Sequence, residues 1–231
     1  MPSVMAFLQA RMGSTRLPGK VLLRIAGRSI LERSVWRLGA ARTLDGVAVL
    51  TTLRGEDDEV AAEAERLGVR VFRGAETDVL RRFRDAAKRF RPEIVVRATA
   101  DNPLIDIGSI DRIVRAVRTS GLDYCMETGL PYGAATEVIT SAALERVHEA
   151  ATDPRHREHV TLYVKERPGE FRMALLAPPD ALRRPNIRLT VDTPQDFVLL
   201  EELIGAFPES GQPHPLERYL DLADSIQRQR V

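Results

Sequence analysis

Short apolar runs alternate with longer amphipathic segments through the first half of the chain. Each apolar run has four to six residues of almost continuous hydrophobic character, as expected for parallel strands covered on both faces. The predicted elements are strand Val4–Leu8, helix Ile30–Ala41, strand Val47–Thr52, helix Asp57–Leu67, strand Val69–Phe72, helix Val79–Phe90, strand Ile94–Ala98 and helix Gly108–Thr119. This alternation predicts a doubly wound α/β fold with a mostly parallel sheet, in which ligands bind beyond the carboxyl ends of the strands.

The pattern changes after residue 120, where the apolar runs become shorter and less regular. Extended segments are predicted at Asp123–Met126, Glu137–Ile139, Phe171–Leu176 and Ile187–Val191. Helices are predicted near Ala142–Ala151, Arg155–Glu166, Pro194–Phe207 and Leu216–Gln229. We interpret residues 1–231 as a single domain built on one continuous sheet.

The loop that follows the first predicted strand, QARMGSTRLPGK at Gln9–Lys20, is cationic. The chain has no Asp or Glu before Glu32, so this loop has no counter-ion of its own. Backbone N–H groups and cationic side chains in such a loop converge on an anion, and a nucleoside triphosphate is the leading candidate. A surface turn with solvated arginines is the alternative. The residues concerned are Arg11, Gly13, Ser14, Arg16, Gly19 and Lys20.

This loop differs from the Walker phosphate loop. Five residues separate Gly13 from Gly19, whereas the Walker motif has four at this point. Lys20 is followed by Val21, so no hydroxyl is placed to reach a magnesium ion. We therefore expect the metal to be held by another part of the chain.

Two aspartates follow predicted extended segments. Asp101 comes after strand Ile94–Ala98, and Asp192 comes after Ile187–Val191. Magnesium needs only one or two carboxylates beside phosphate and water ligands, so Asp101 is the first candidate for a metal ligand and Asp192 is the second carboxylate to consider. The alternatives are that Asp101 caps a turn and that Asp192 or Thr193 caps the next helix, with Asp196 in its first turn. On propensity alone, helix capping is favoured for Asp192.

The ordered pattern A-R-x-G-S-x-R-L-P-G-K resembles the amino-terminal signature of the cytidylyltransferases that activate acidic sugars, the acylneuraminate and deoxyoctulosonate nucleotide synthetases. Two further segments resemble the spore-coat polysaccharide branch of that family, P-x-G-x-x-x-E-V at Pro131–Val138 and R-E-H-V-T at Arg157–Thr161. The G-D-x-P of the octulosonate enzymes appears here as Ala-Asp-Asn-Pro at residues 100–103. This departure favours the spore-coat branch and leaves the acceptor open.

The resemblance implies a GT-A-like fold of the nucleotide-diphospho-sugar transferase type and transfer of CMP from CTP to a small acidic acceptor with release of pyrophosphate. Residues 1–120 would form the nucleotide-binding half, and residues 121–231 the acceptor-binding half with the C-terminal helices. Mg²⁺ would be held by Asp101 and Asp192, with Asp196 in support. Arg11, Arg16, Lys20 and Asp101 are the expected catalytic residues. The expected nucleotide-binding residues are Ala10, Arg11, Met12, Gly13, Ser14, Arg16, Lys20, Arg73, Asp78 and Arg97.

The same resemblance places acceptor binding in the second half of the chain. The candidate residues are Tyr132, Glu137, Arg157 and His159. Each also has a structural alternative, either a loop contact or a solvated helix face. Related enzymes form dimers through the region corresponding to Tyr132–Thr161, so a homodimer is predicted.

Composition excludes several other classes of protein. A formal net charge of +1 with interleaved acids and bases gives no basic face for nucleic acid. Cys125 is the single cysteine, which excludes an internal disulfide and predicts a reducing, cytoplasmic setting. No apolar run in the sequence is long enough to span a membrane. The remaining alternatives are a glycosyltransferase of the same fold, which would need an Asp-x-Asp pair, and a noncatalytic nucleotide-binding protein.

Overall fold

The computed structural model describes residues 3–208 and 211–229. Its strands are β1 (Val4–Gln9), β2 (Arg24–Ile25), β3 (Arg28–Ser29), β4 (Gly46–Thr52), β5 (Arg70–Gly74), β6 (Ile94–Thr99), β7 (Tyr124–Glu127), β8 (Glu137–Thr140) and β9 (Met173–Leu176). Its α-helices are α1 (Ile30–Gly39), α2 (Asp58–Arg66), α3 (Val79–Phe90), α4 (Ile107–Ser120), α5 (Ser141–Ala150), α6 (Pro154–Glu158), α7 (Leu162–Lys165), α8 (Pro194–Gly205) and α9 (Leu216–Gln229). Short 3-10 helices cover Lys20–Leu22, Gly55–Asp57 and Asp180–Leu182.

Strands from both halves of the chain form one seven-stranded sheet in the order β5-β4-β1-β6-β8-β7-β9. β5, β4, β1 and β6 are parallel, and β9 is parallel to β7. β8 runs antiparallel to both of its neighbours. The predicted doubly wound, mostly parallel α/β fold is therefore confirmed. Gln9 at the end of β1 pairs with Thr99 at the end of β6, so the loops after these two strands leave the same edge of the sheet.

Helices cover both faces of the sheet because alternate residues of its central strands point to opposite sides. Val4, Ala6 and Leu8 are buried in a core shared with α1, α2 and α4. Met5 and Phe7 point the other way, into a core shared with α3, α5 and α7. Continuous apolar strands are thus explained by burial on both faces.

A third core joins the carboxyl-terminal helices α8 and α9 to the β2–β3 hairpin and to residues of the 182–191 segment. The hairpin turns at Ala26 and Gly27, which both have positive φ, the conformation of a type I′ turn. None of the helices in the described part of the chain is long and apolar enough to cross a membrane.

Residues 187–191, predicted as an extended segment, form no strand of the seven-stranded sheet. They make an isolated parallel bridge to Tyr132. The Val191 N–H donates to the Asp101 carbonyl at 2.8 Å. This bond brings the next residue, Asp192, beside the loop that follows β6.

Two further predictions differ from the structure. Residues 155–166 form the two short helices α6 and α7 instead of one helix, because His159 has φ −102° and ψ 81°, outside the helical region. β9 begins at Met173 instead of Phe171. The β2–β3 hairpin was not among the predicted elements.

Candidate active site

The loop between β1 and the 3-10 helix at Lys20, which we call the first loop, has a closely hydrogen-bonded backbone. The Met12 carbonyl accepts hydrogen bonds from the N–H groups of Ser14 at 2.8 Å and Gly19 at 3.1 Å. The Met12 N–H donates to Asp57 Oδ1 at 2.7 Å. Gly19 has φ 67°, a left-handed conformation that glycine adopts without steric cost. These contacts fix the path of the loop around its cationic side chains.

A cavity of about 430 Å³, the first cavity, lies between the first loop and the carboxyl ends of β1 and β6. The predicted site residues that line it are Ala10, Arg11, Gly13, Ser14, Arg16, Lys20, Arg97, Asp101, His159 and Asp192. The rest of the lining comes from Gln9, Thr15, Val21, Thr99, Ala100 and Glu158. Met12 is not in the lining, since its side chain packs against the hydrophobic core.

Lys20 lies between the two candidate metal-binding aspartates. Its Nζ donates to Asp101 Oδ2 at 2.9 Å and to Asp192 Oδ1 at 2.8 Å. A third bond from the same nitrogen reaches the Val191 carbonyl at 2.6 Å. The two carboxylates, which are far apart in sequence, therefore converge on one position in the first cavity.

Asp192 is surrounded by cationic side chains. Arg16 Nη2 lies 3.2 Å from Asp192 Oδ1, and Arg188 Nη2 donates to Oδ2 at 2.5 Å. Partial burial would raise the pKa of Asp192, but the hydrogen bond and charge of Lys20, with Arg16 and Arg188, outweigh burial and lower it. Arg188 is itself fixed by Asp196, whose Oδ1 accepts from Arg188 Nε at 2.9 Å. Asp192 is therefore held as a carboxylate anion.

Helix capping at α8 is carried by the neighbours of Asp192. The Thr193 hydroxyl accepts from the Asp196 N–H at 3.2 Å, and the Asp196 carboxylate accepts from the Thr193 N–H at 2.9 Å. This reciprocal pair is a capping box. Because Thr193 is the N-cap residue, the Asp192 side chain is left to face the first cavity.

The carboxylates around Lys20 suit a magnesium ion, which binds one or two carboxylates together with substrate phosphates and water. Asp101 and Asp192 supply two carboxylates directed to one position. Within residues 3–208 and 211–229, no group of three or more His, Cys, Asp or Glu side chains forms a ready-made metal cluster. The site therefore fits a metal that completes its coordination with phosphate oxygens of a bound ligand.

A second cavity, of about 680 Å³, adjoins the first and shares Arg16, Arg97, Thr99, Asp101 and Asp192 with it. Its other lining residues are Ala98, Asn102, Met126, Glu127, Thr128, Gly129, Leu130, Pro131, Tyr132, Gly133, Ala135, Glu137, Lys165 and Thr190. Tyr132 is 60% exposed, and the Arg188 guanidinium carbon lies 4.8 Å from the centre of its ring. The predicted acceptor residues Tyr132 and Glu137 therefore border this cavity.

Glu137, a predicted acceptor-binding residue, has protein groups bound to both of its carboxylate oxygens. Its side chain is 8% exposed and forms ion pairs with Arg97, at 2.6 Å, and with Lys165. The hydroxyls of Tyr124 and Thr161 donate to it at 2.7 and 2.9 Å. Glu137 is therefore placed to hold Arg97 and Lys165 against the cavity.

Besides Met12, three predicted site residues lie outside the linings of both cavities. Arg73 donates to the carbonyls of Thr52 and Arg54, each at 2.8 Å. Asp78 accepts from a backbone N–H at the start of α3 at 2.8 Å, and it is the N-cap of that helix. Arg157 lies 3.6 Å from Asp78. These side chains bind neighbouring parts of the protein, and their contacts with a ligand remain predictions.

Several cavity residues were not predicted from the sequence. Among them are Gln9, Glu158 and Lys165. Arg188 lies outside both linings and contacts the site through Asp192 and Tyr132. The signal for Gln9 was present, since a polar residue that ends an apolar strand lies at the edge where ligands bind. Lys165 and Arg188 carried no comparable local signal.

A mostly parallel sheet whose cationic loop and carboxylates meet beyond the strand ends is the arrangement of an α/β nucleotide-binding enzyme. The sequence profile described as cytidylyltransferase matches residues 5–224. The chain belongs to the cytidylyltransferase family, and it is therefore a nucleotidyltransferase enzyme.

Individual relatives agree with this assignment. The spore coat polysaccharide biosynthesis protein SpsF of Bacillus subtilis is 34% identical over 88% of this chain and 87% of its own length. A solved cytidylyltransferase from Leptospira borgpetersenii superposes with a TM-score of 0.88 at 32% identity, over 100% of this chain and 96% of that one. The CMP:2-keto-3-deoxy-manno-octonic acid synthetase complexed with CTP shares the fold, with a TM-score of 0.67 at 17% identity over 88% of this chain and 99% of that one.

Proposed function

We propose that this enzyme transfers CMP from CTP to an oxygen of a small acidic acceptor, in a magnesium-dependent reaction that releases pyrophosphate. The observation that carries the proposal is the cationic first loop facing Asp101 and Asp192 across one cavity. The family assignment supports CTP as the nucleotide. The second cavity, which shares its wall with the first, supports a separate acceptor site.

The first loop is assigned to the triphosphate. Arg11 and Arg16 have side chains that are 44% and 62% exposed, so both can turn onto a ligand in the cavity. Backbone groups of residues 10–14 border the same space and are assigned to the base and phosphates. Preorganised cations of this kind stabilise charge on a departing pyrophosphate, which is the main contribution that a protein makes to phosphoryl transfer.

In the proposed reaction an acceptor oxygen forms a bond to the α-phosphorus of CTP, and the bond from that phosphorus to the bridging oxygen of the β-phosphate breaks. Pyrophosphate leaves, and the acceptor proton passes to solvent. Asp101 and Asp192 would hold Mg²⁺, which supplies charge neutralisation and alignment for an in-line displacement. The protein orients both substrates and needs no covalent intermediate.

The second cavity is assigned to the acceptor. Arg97 and Lys165 share the single carboxylate of Glu137, and Glu127, which also lines the cavity, is paired with Arg112, so this wall carries a net positive charge. Such a wall suits the carboxylate of a sugar acid, or a comparable anion such as a phosphonate. Tyr132 offers an exposed ring and hydroxyl at the rim, and His159 lines the neighbouring first cavity.

The biological setting and the assembly are proposed from similarity to relatives. The similarity to a protein of spore coat polysaccharide biosynthesis supports a role in surface polysaccharide or glycoconjugate synthesis. The resemblance described above supports a homodimer formed through residues 132–161. Light scattering on the purified protein is expected to give twice the mass of one chain, and a monomer at micromolar concentration would contradict the dimer.

The reaction can be tested with purified protein, each of the four nucleoside triphosphates, magnesium and a panel of sugar acids and phosphonates. Pyrophosphate release should depend on CTP and on one class of anionic acceptor. Asp101→Asn should reduce release by about a hundredfold or more, as expected for loss of a group that stabilises transition-state charge. Asp180→Asn is the matched control, because Asp180 is 95% exposed and pairs only with Arg183 among the described residues.

Two results would contradict the proposal. The first is a preference for another nucleotide over CTP. The second is unchanged pyrophosphate release by Asp101→Asn.

A further inference from the structure

Both carboxylate oxygens of Asp192 are occupied by cationic side chains. Oδ1 accepts from Lys20 Nζ at 2.8 Å and lies 3.2 Å from Arg16. Oδ2 accepts from Arg188 at 2.5 Å. A divalent ion that binds Asp192 therefore competes with these cations for the carboxylate oxygens.

Arg188 is poorly placed to move. Its Nε donates to Asp196 at 2.9 Å, and its guanidinium group stacks on Tyr132. Asp196 is in turn fixed by backbone N–H groups of Asp192 and Thr193, both at 2.9 Å. This network ties Arg188 to the start of α8.

Lys20 is the cation that competes directly with a metal. Its Nζ donates to the two aspartates and to the Val191 carbonyl, and its side chain is 10% exposed. The oxygens it contacts, Asp101 Oδ2 and Asp192 Oδ1, point to the place between the two residues that a shared metal would take. Magnesium binds oxygen at about 2.0–2.1 Å, so the ion and the ammonium group cannot both fill that place.

We propose that Lys20 is a displaceable counter-ion of the Asp101–Asp192 pair, so that metal and nucleotide polyphosphate bind cooperatively. The phosphates draw Lys20, with Arg16, away from the carboxylates, and the freed oxygens accept the metal. By linkage, nucleotide raises the affinity for metal by the same factor as metal raises the affinity for nucleotide. This inference rests on the proposed function, since it takes the two aspartates as the metal site and the first loop as the phosphate site.

The experiment measures binding of Mn²⁺ alone by water-proton relaxation, which reports protein-bound ion without turnover. Lys20→Met should bind Mn²⁺ about tenfold or more tightly than the unmodified protein, a coupling of ordinary size. The gain should be lost in the double variant Lys20→Met/Asp192→Asn. Lys88→Met is the control, because Lys88 is a surface residue that pairs with Glu145 at 3.1 Å, and its Mn²⁺ affinity should equal that of the unmodified protein.

A second measurement needs no substitution. Adding CTP to the unmodified protein should raise its Mn²⁺ affinity about tenfold, with Mn–CTP in the absence of protein as the reference. Equal affinity with and without CTP overturns the inference, and so does a Lys20→Met variant that binds Mn²⁺ no more tightly than the unmodified protein.

The failure of this inference and the failure of the proposed function give different results. Tight, Asp192-dependent Mn²⁺ binding by the unmodified protein without CTP overturns the counter-ion role and leaves the metal pair in place. A lack of Mn²⁺ binding by every variant, with or without CTP, would contradict the assignment of Asp101 and Asp192 as the metal site and therefore also the inference.

Discussion

Glu137→Gln tests whether the buried carboxylate between the sheet and α7 holds two cations in place. The substitution keeps the shape of the side chain but leaves Arg97 and Lys165 without their shared anion. Removing one partner of a buried ion pair costs about 3–5 kcal/mol. The side chains of Arg97 and Lys165 are 21% and 38% exposed, so water offsets part of that loss. We therefore expect the substitution to lower the free energy of unfolding by about 2–3 kcal/mol.

The same substitution has a defined pH dependence. Burial alone would raise the pKa of Glu137, but the charges of Arg97 and Lys165 and the hydrogen bonds to the carboxylate lower it to about 2. A carboxyl group whose pKa falls on folding stabilises the protein above the ordinary glutamate pKa of about 4.3, and this contribution is lost as the pH falls toward the folded-state value. The difference between unmodified and variant protein should therefore be complete at neutral pH and shrink between about pH 4.5 and pH 2.

Urea unfolding at neutral pH and at several acidic pH values measures this difference, and thermal melting should show a decrease of about 5–10 °C for a chain of this length. Glu145→Gln is the matched control, since Glu145 pairs with Lys88 at the surface and should change the free energy of unfolding by less than about 1 kcal/mol. The reasoning would be refuted if Glu137→Gln lowered the free energy of unfolding by less than about 1 kcal/mol, or if the decrease were the same at acidic and neutral pH.

Three further predictions concern the surroundings of the site. Gly133→Ala should lower the free energy of unfolding, measured by urea titration, by about 1–3 kcal/mol, because φ is +95° and a Cβ would lie 2.9 Å from the Thr190 nitrogen. The control Gly205→Ala, whose Cβ would have no atom within 4 Å, should lower it less. Burial raises the pKa of Cys125 to about 11, so a thiol reagent at pH 8 should react only after unfolding. Asp57→Asn should raise KM for CTP more than it lowers kcat, because one of the two acceptor oxygens that hold Met12 and Thr52 becomes an N–H donor; equal KM values would contradict this.

The central strands were predictable because burial on both faces leaves an apolar run in the sequence. β1 and β6 begin where the pattern predicts, at Val4 and Ile94. Both extend one residue further than predicted, to Gln9 and Thr99. Those last residues are polar because they line the first cavity, so the hydrophobic pattern ends before the strand does.

The meeting of Asp101 and Asp192 in one cavity was predictable in part. Asp101 follows from the position of a carboxylate at a strand end, whereas local propensity favoured capping for Asp192, and the resemblance was needed to select it. The structure assigns capping to Thr193 and turns Asp192 toward Lys20. The placement of Lys20 between the aspartates depends on contacts across 81 and 172 residues, which no local pattern contains.

The predicted residues that lie elsewhere share one cause. Arg73, Asp78 and Arg157 have the residue types expected of a binding site, but each finds its partner within the protein. Glu137 borders a cavity with both oxygens occupied. Residue type indicates which chemistry is possible, and only the fold shows which charges remain for a ligand.

The most direct test of the account is a crystal structure with Mn²⁺ and a nonhydrolysable CTP analogue, read by anomalous scattering. We predict a manganese peak bound by Asp101 and Asp192, with Arg16 and Lys20 on the phosphates instead of on the carboxylates. A peak at another group of residues, or a polyphosphate bound away from the first loop, would contradict the account.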